Sequence, residues 1–113
     1  MTNEEKLDFT QQLMAFIEER KGLNTIMVDV SQQCNWADYF IISTVTSVAH
    51  LRGIVRDLWG FLSEKGIEVR DRHKTPDGDG WELIDCGFVV VHLMSQEFRD
   101  FYDLEKLWKK LED

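Results

Sequence analysis

Acid–base, nucleophilic or metal chemistry in this 113-residue chain would have to be built from three histidines, two cysteines and 21 carboxylates. The best acid–base candidate is Asp85 with His92. They stand on two β-like runs separated by Gly87, so a tight hairpin would lay their strands side by side, where a carboxylate can orient an imidazole for proton transfer. Aligned on Gly87, Asp85 falls opposite Val89 and His92 lies farther along. That spacing favours a turn-fixing Asp85 and a hydrogen-bonded strand histidine. A small hydrolase using Asp85 and His92 remains the alternative to a non-enzymatic binding role.

The other chemical signatures are weaker. Ser47 directly precedes a strong amphipathic pattern, the usual place of a helix cap rather than a nucleophile. Cys34 and Cys86 have no neighbours that would lower a thiol pKa and form no C-x-x-C pair. His50, His73 and His92 fall on three different elements, without zinc-site spacing. Neither G-x-G-x-x-G nor G-x-x-x-x-G-K-[ST] occurs, and Gly78 and Gly80 precede a strand instead of the helix N-terminus that holds a phosphate. The expectation is no cofactor and no metal. Among the four tryptophans, Trp81 directly follows a polar loop, a position suited to an interface anchor as well as to a core edge.

Periodicity supplies the scaffold. Residues 3 to about 21 predict a helix with the apolar stripe Phe9, Leu13, Phe16 and Ile17, a Thr2–Glu5 capping box and a stop at Gly22. Thr25–Val30 alternates as a strand, with Ile26, Val28 and Val30 on one face, and Tyr39–Val45 follows as a second. Ser47 caps a helix carrying Leu51, Ile54, Val55, Leu58 and Leu62, ended by Gly66; close packing on a sheet would account for Gly53 and Gly60 inside it. Ile67–His73 is a weaker strand, the Lys74–Gly80 stretch around Pro76 a loop, and Trp81–Cys86 and Phe88–Met94 a hairpin. Val89, Val90 and Val91 are apolar on both faces, as in a central strand. Glu97–Leu111 closes the pattern with a turn and a helix. The expectation is one α/β domain over residues 1–113, in the order α-β-β-α-β-β-β-α, with a mixed five-stranded sheet and a parallel crossover in the middle.

Thirteen basic against 21 acidic side chains leave a net charge of −8. Phosphate neutralisation needs clustered Lys and Arg, so little direct RNA binding is expected, and a basic protein is the better electrostatic match. No apolar run approaches the ~20 residues that span a bilayer. The opening MTNEEKLDF has no basic region leading into an apolar one, so no membrane association and a cytoplasmic, reduced setting are expected.

Three ordered segments resemble one family. Asp38-Tyr39-Phe40-Ile41-Ile42-Ser43-Thr44 with Ser47 is similar to D-Y-F-V-I-A-T-G-x-S. The run from Trp81 to His92 is similar to W-x-L-x-D-x-G-D-V-V-V-H, and Glu97 to Trp108 to E-x-R-x-F-Y-x-L-E-x-L-W. The chain thereby resembles the ribosomal silencing factor, or Iojap-like, family over nearly its whole length. It departs at Val45 and Ala49, where glycine or alanine and arginine are usual, and at Phe88, where aspartate is usual. The Glu-Gly pair that normally precedes the tryptophan is replaced by Asp77-Gly78, nearer to Trp81.

The resemblance implies a nucleotidyltransferase-like topology without the activity; the alternative it leaves is a nucleotidyltransferase-related enzyme, or a small hydrolase, using Asp85 and His92. Nucleotidyltransferase activity requires Gly-Ser followed by paired metal-binding aspartates; here Thr46-Ser47 lacks the glycine, and Asp77 and Asp79 lie in the later loop. It further implies binding to the large ribosomal subunit through its fourteenth large-subunit protein, obstruction of subunit joining, a role in large-subunit maturation, and a homodimer when free. The partner-binding residues expected on these motifs are Trp81, Asp85, Cys86, Arg99, Tyr102, Leu104 and Trp108.

Overall fold

The computed structural model describes residues 1–69, 71–75 and 78–106, with 71–75 and 78–79 described by their backbone. Helix α1 (Asn3–Glu19) begins where Thr2 Oγ1 accepts the Glu5 N–H at 3.1 Å and Glu5 Oε1 accepts the Thr2 N–H at 2.9 Å. Both free donors of the first turn are thus satisfied. Its inner stripe is Phe9, Leu13 and Ile17. The left-handed residue at its end is Lys21, with φ of 69°, and not Gly22. Gly22 serves a different need: a Cβ there would stand 2.5 Å from Ser43 Oγ and 2.6 Å from Ile17 Cγ2. The missing side chain lets the chain pass tightly between helix and sheet.

Strand β1 (Leu23–Asp29) pairs antiparallel with β2 (Tyr39–Val45). Helix α2 (Val48–Glu64) follows, capped by Ser47 Oγ accepting the His50 N–H at 3.0 Å. Then come β3 (Asp71–Thr75), β4 (Gly78–Asp85), β5 (Val89–Ser95) and α3 (Gln96–Tyr102). The sheet order is β1-β2-β5-β4-β3, with β2–β5 the parallel pair. The strand after α2 is therefore not the crossover partner of β2. β3 lies at the far edge, and β5, buried along Val89–Met94, takes the centre. A strand apolar on both faces gains most from the position covered on both sides.

Two apolar layers flank the sheet. On one face α1 and α2 pack Leu13, Ile17, Ile54 and Leu58 against Ile41, Val89, Val91 and Leu93. On the other, among the described residues, Val28, Phe40, Ile42, Val90 and Met94 pack with Cys34 and Ala37 of the β1–β2 connection and with Phe98 and Leu104 from the end of the described chain.

Several expected boundaries move. β3 begins at Asp71 rather than Ile67, because Ile67 and Val69 are spent packing on the helical layer. β4 begins at Gly78, so the expected loop contracts and Trp81 sits inside a strand instead of at its mouth. Ladder bonds use backbone only, so glycines do not prevent pairing. The β4–β5 register places Asp85 opposite Val90, not Val89, and Leu83 opposite His92. Gly87, at φ of 96°, lets Asp85 Oδ1 accept the Gly87 N–H at 2.8 Å, and the turn takes in Phe88. The last helix breaks at Asp103, with φ of 47°, and the chain is helical again at 104–106. Leu107, Trp108 and Leu111 lie outside the described residues. Gly53 and Gly60 have no close packing to explain them: a Cβ would meet nothing nearer than Arg56 at 4.0 Å, or nothing within 4 Å.

Candidate partner-binding face

The face opposite the long helices carries a continuous row of aromatic rings. Alternation along β2, β4 and β5 points Phe40, Trp81 and His92 to this side. His92 lies 4.8 Å from Phe40 and 6.0 Å from Trp81, centroid to centroid. Beyond Phe40, Trp36 continues the row at 5.7 Å and is 60% exposed. Beyond Trp81, Tyr102 follows at 4.9 Å, then Phe98 at 5.9 Å and Phe101 at 5.0 Å from it. Both ends of the row are open to water and its middle is anchored in the sheet.

His92 fixes that middle. Its Nδ1 accepts the Trp81 Nε1–H at 3.3 Å, which leaves the ring proton on Nε2. Nε2 has no hydrogen-bond partner among the described residues. Burial alone pushes the imidazole down to about 4, so the ring is neutral at physiological pH and acts as an acceptor and a stacking surface.

The expected site residues divide. Trp81 is half-buried, and Tyr102 is exposed beside it. Leu104 packs half-buried on the sheet-face layer. Asp85 holds the hairpin turn. Cys86 belongs to the opposite, helical layer, and burial, with Asp85 adding its charge, pushes its thiol up to about 12. Arg99, expected among the partner-binding residues, is only 6% exposed. Its guanidinium donates to the carbonyls of Leu23 (3.3 Å) and Asn24 (2.6 Å), to Thr44 Oγ1 (2.9 Å) and to Glu105. Cys86 and Arg99 are thus both buried, Cys86 in the helical layer and Arg99 tying α3 to the β1 and β2 backbone. Trp108 lies outside the described residues. An Asp85–His92 proton relay is not assembled either: the carboxylate is bound to a turn amide, and the imidazole is enclosed by Phe40 and Trp81.

Trp36 and Phe101 complete the row and were not singled out by sequence. Trp36 sits in a polar connection with no periodicity, and Phe101 reads as one more apolar helix residue. The α3 end of the row is acidic: Glu97, Asp100 and Asp103 are all exposed. Among the described residues no group of three or more His, Cys, Asp or Glu is placed to hold a metal ion. No helix among them is long and apolar enough to cross a membrane.

Comparison with known proteins adds to this geometry. Residues 3–113 match the family described as "Ribosomal silencing factor during starvation". A ribosomal silencing factor of Treponema pallidum is 37% identical over 94 residues, covering 80% of this chain and 81% of that protein. The mouse "Mitochondrial assembly of ribosomal large subunit protein 1" is 31% identical over 100 residues, covering 85% of this chain but 43% of that longer protein. A crystal structure of a Chromobacterium violaceum protein superposes with a TM-score of 0.84 at 28% identity, over 96% of this chain and 88% of that one.

Proposed function

The chain belongs to the ribosomal silencing factor family, and from that premise we propose that it binds the large ribosomal subunit through the fourteenth large-subunit protein and blocks joining of the small subunit. A role in maturation of the large subunit and a cytoplasmic location belong to the same reading. The observation that carries it is the aromatic row, with Trp36, Tyr102 and Phe101 exposed at its ends on the face of the sheet opposite the long helices. Exposed aromatics on a rigid frame are what protein interfaces use as anchors, since little side-chain entropy is lost on docking. The net charge of −8 suits a basic protein partner and opposes bare RNA. Trp81 and Tyr102 make the contact, with Leu104 packed on the same apolar layer as Trp81, while Asp85, Cys86 and Arg99 hold the frame. In the free protein the same face pairs two copies.

Co-sedimentation with purified subunits tests the reading. The protein should pellet with large subunits, not with small subunits, and should reduce formation of joined ribosomes. Tyr102→Ala is the cleaner probe because that ring is exposed; truncating an anchor costs ~2 kcal/mol, or about thirtyfold in affinity. Trp81→Ala should weaken binding likewise, and thermal melting will separate lost contact from lost packing. Equal binding to both subunits, or a Tyr102→Ala variant that binds large subunits like the parent, would overturn the assignment. Light scattering that gives only monomer at tens of micromolar, about the range of weak association, would remove the homodimer.

A further inference from the structure

The α3 end of the aromatic row differs from the rest in its charge. Phe101 is 79% exposed, with its ring edge-on to Tyr102 at 5.0 Å and 79°. These two rings, with Phe98 and Glu97, line an open recess of about 250 Å³. That is small for a cofactor but ample for one long side chain. Carboxylates surround it: Glu97 is in its wall, and Asp100 and Asp103 are exposed on the same short segment. Arg99, the one cation of residues 96–103, is turned inward and paired with Glu105, so its charge does not neutralise them at the surface.

We propose that this recess receives an arginine side chain of the protein partner, stacked on Phe101 and Tyr102 and donating to the Glu97 carboxylate. The proposal rests on the aromatic row being the partner face, and it specifies the chemistry that face selects. A ring face attracts a cation through its quadrupole, and a flat guanidinium can stack there while its N–H groups still reach a carboxylate. Lysine offers a more strongly hydrated point charge and no plane to stack. A nucleobase would also stack on Phe101, but its phosphates would approach Glu97, Asp100 and Asp103, and repulsion opposes that.

The test is an NMR titration of the isotopically labelled full chain. The probes are a short blocked peptide, Gly-Ser-Arg-Ser-Gly, and its twin with neutral citrulline in place of arginine. The arginine peptide should shift the amides of residues 97–102 in a saturable way, and the citrulline peptide should bind about fivefold more weakly or less. Phe101→Ala and Glu97→Gln, both at exposed positions, should each remove most of the response while leaving the remaining spectrum unchanged. Equal responses to the two peptides, or shifts that map elsewhere, would overturn the proposal. So would a short oligouridylate that shifts residues 97–102 more strongly than the peptide does. Pelleting with large subunits is run in parallel. A chain that pellets but shows no arginine response keeps the ribosomal reading and loses this one; an arginine response without pelleting does the reverse.

Discussion

His92 shows how a residue read as a candidate acid–base group becomes a structural one. Its ring stays neutral down to about pH 4 when folded, while the ordinary value is 6.5. Between those two values the unfolded chain binds a proton that the folded chain refuses. Stability therefore falls as pH drops through that window, by about 1.4 kcal/mol per unit and of order 3 kcal/mol in all; above 6.5 this contribution is constant. His92→Gln keeps an acceptor for the Trp81 N–H and removes the titration. Melting curves at steps from pH 7 to pH 5 should slope for the parent and run flatter for the variant, and parallel slopes would contradict the account. Arg99 is the opposite case, a surface residue by type that is buried by contact. Arg99→Met leaves the Glu105 carboxylate and two backbone carbonyls without their donor. A loss of about 3–5 kcal/mol is expected in denaturant titrations, a large share of a small domain's stability. Sequence pattern could not disclose this, because three of the acceptors belong to β1 and β2, more than fifty residues away in the chain.

At the level of elements, what is local was legible and what is relational was not. The caps at Thr2 and Ser47 could be read because donor and acceptor lie three residues apart. The faces of β1 and α2 could be read because side-chain direction repeats with fixed period. The β4–β5 register was missed by one residue, since the turn's geometry depends on how Asp85 and Gly87 use their polar groups. Glycine makes the same point. Gly60 lies exposed in α2, and a methyl group added to it would meet nothing within 4 Å, so Gly60→Ala should stabilise the protein by about 0.5–1 kcal/mol. Gly80 lies beneath the Phe98 ring, where a Cβ would come within 1.8 Å of Cε2. Gly80→Ala must displace that ring and should cost about 1–3 kcal/mol, with weaker binding to large subunits because Phe98 stacks on Tyr102. Two thermal melts decide both signs; an unchanged or higher midpoint for Gly80→Ala would show that the ring has room to move.

For the whole molecule, charge and the two apolar layers were open to reading from composition and alternation, and the joining of aromatic rings from distant segments was not. Trp81 and Tyr102 stand in the sequence motifs, but only the folded sheet joins them to Trp36 and Phe101 as one surface. The central place of β5 has a consequence for how the chain acquires its structure. β1–β2 and β3–β4 are hairpins that can close locally, yet they share no ladder with each other. Within the sheet of the described chain they are joined through residues 89–95, its last strand to leave the site of synthesis. Assembly therefore waits for that segment, and the parallel pairing of β2 with β5 closes across α2, β3 and β4. Such distant pairing slows folding, so the two early hairpins spend that interval with unpaired inner edges. A chain stopped before Val89 should show no cooperative unfolding transition, rather than a smaller domain with reduced stability. During its own production, then, this protein is a nascent chain that depends on late closure and is exposed to edge-to-edge aggregation until β5 arrives.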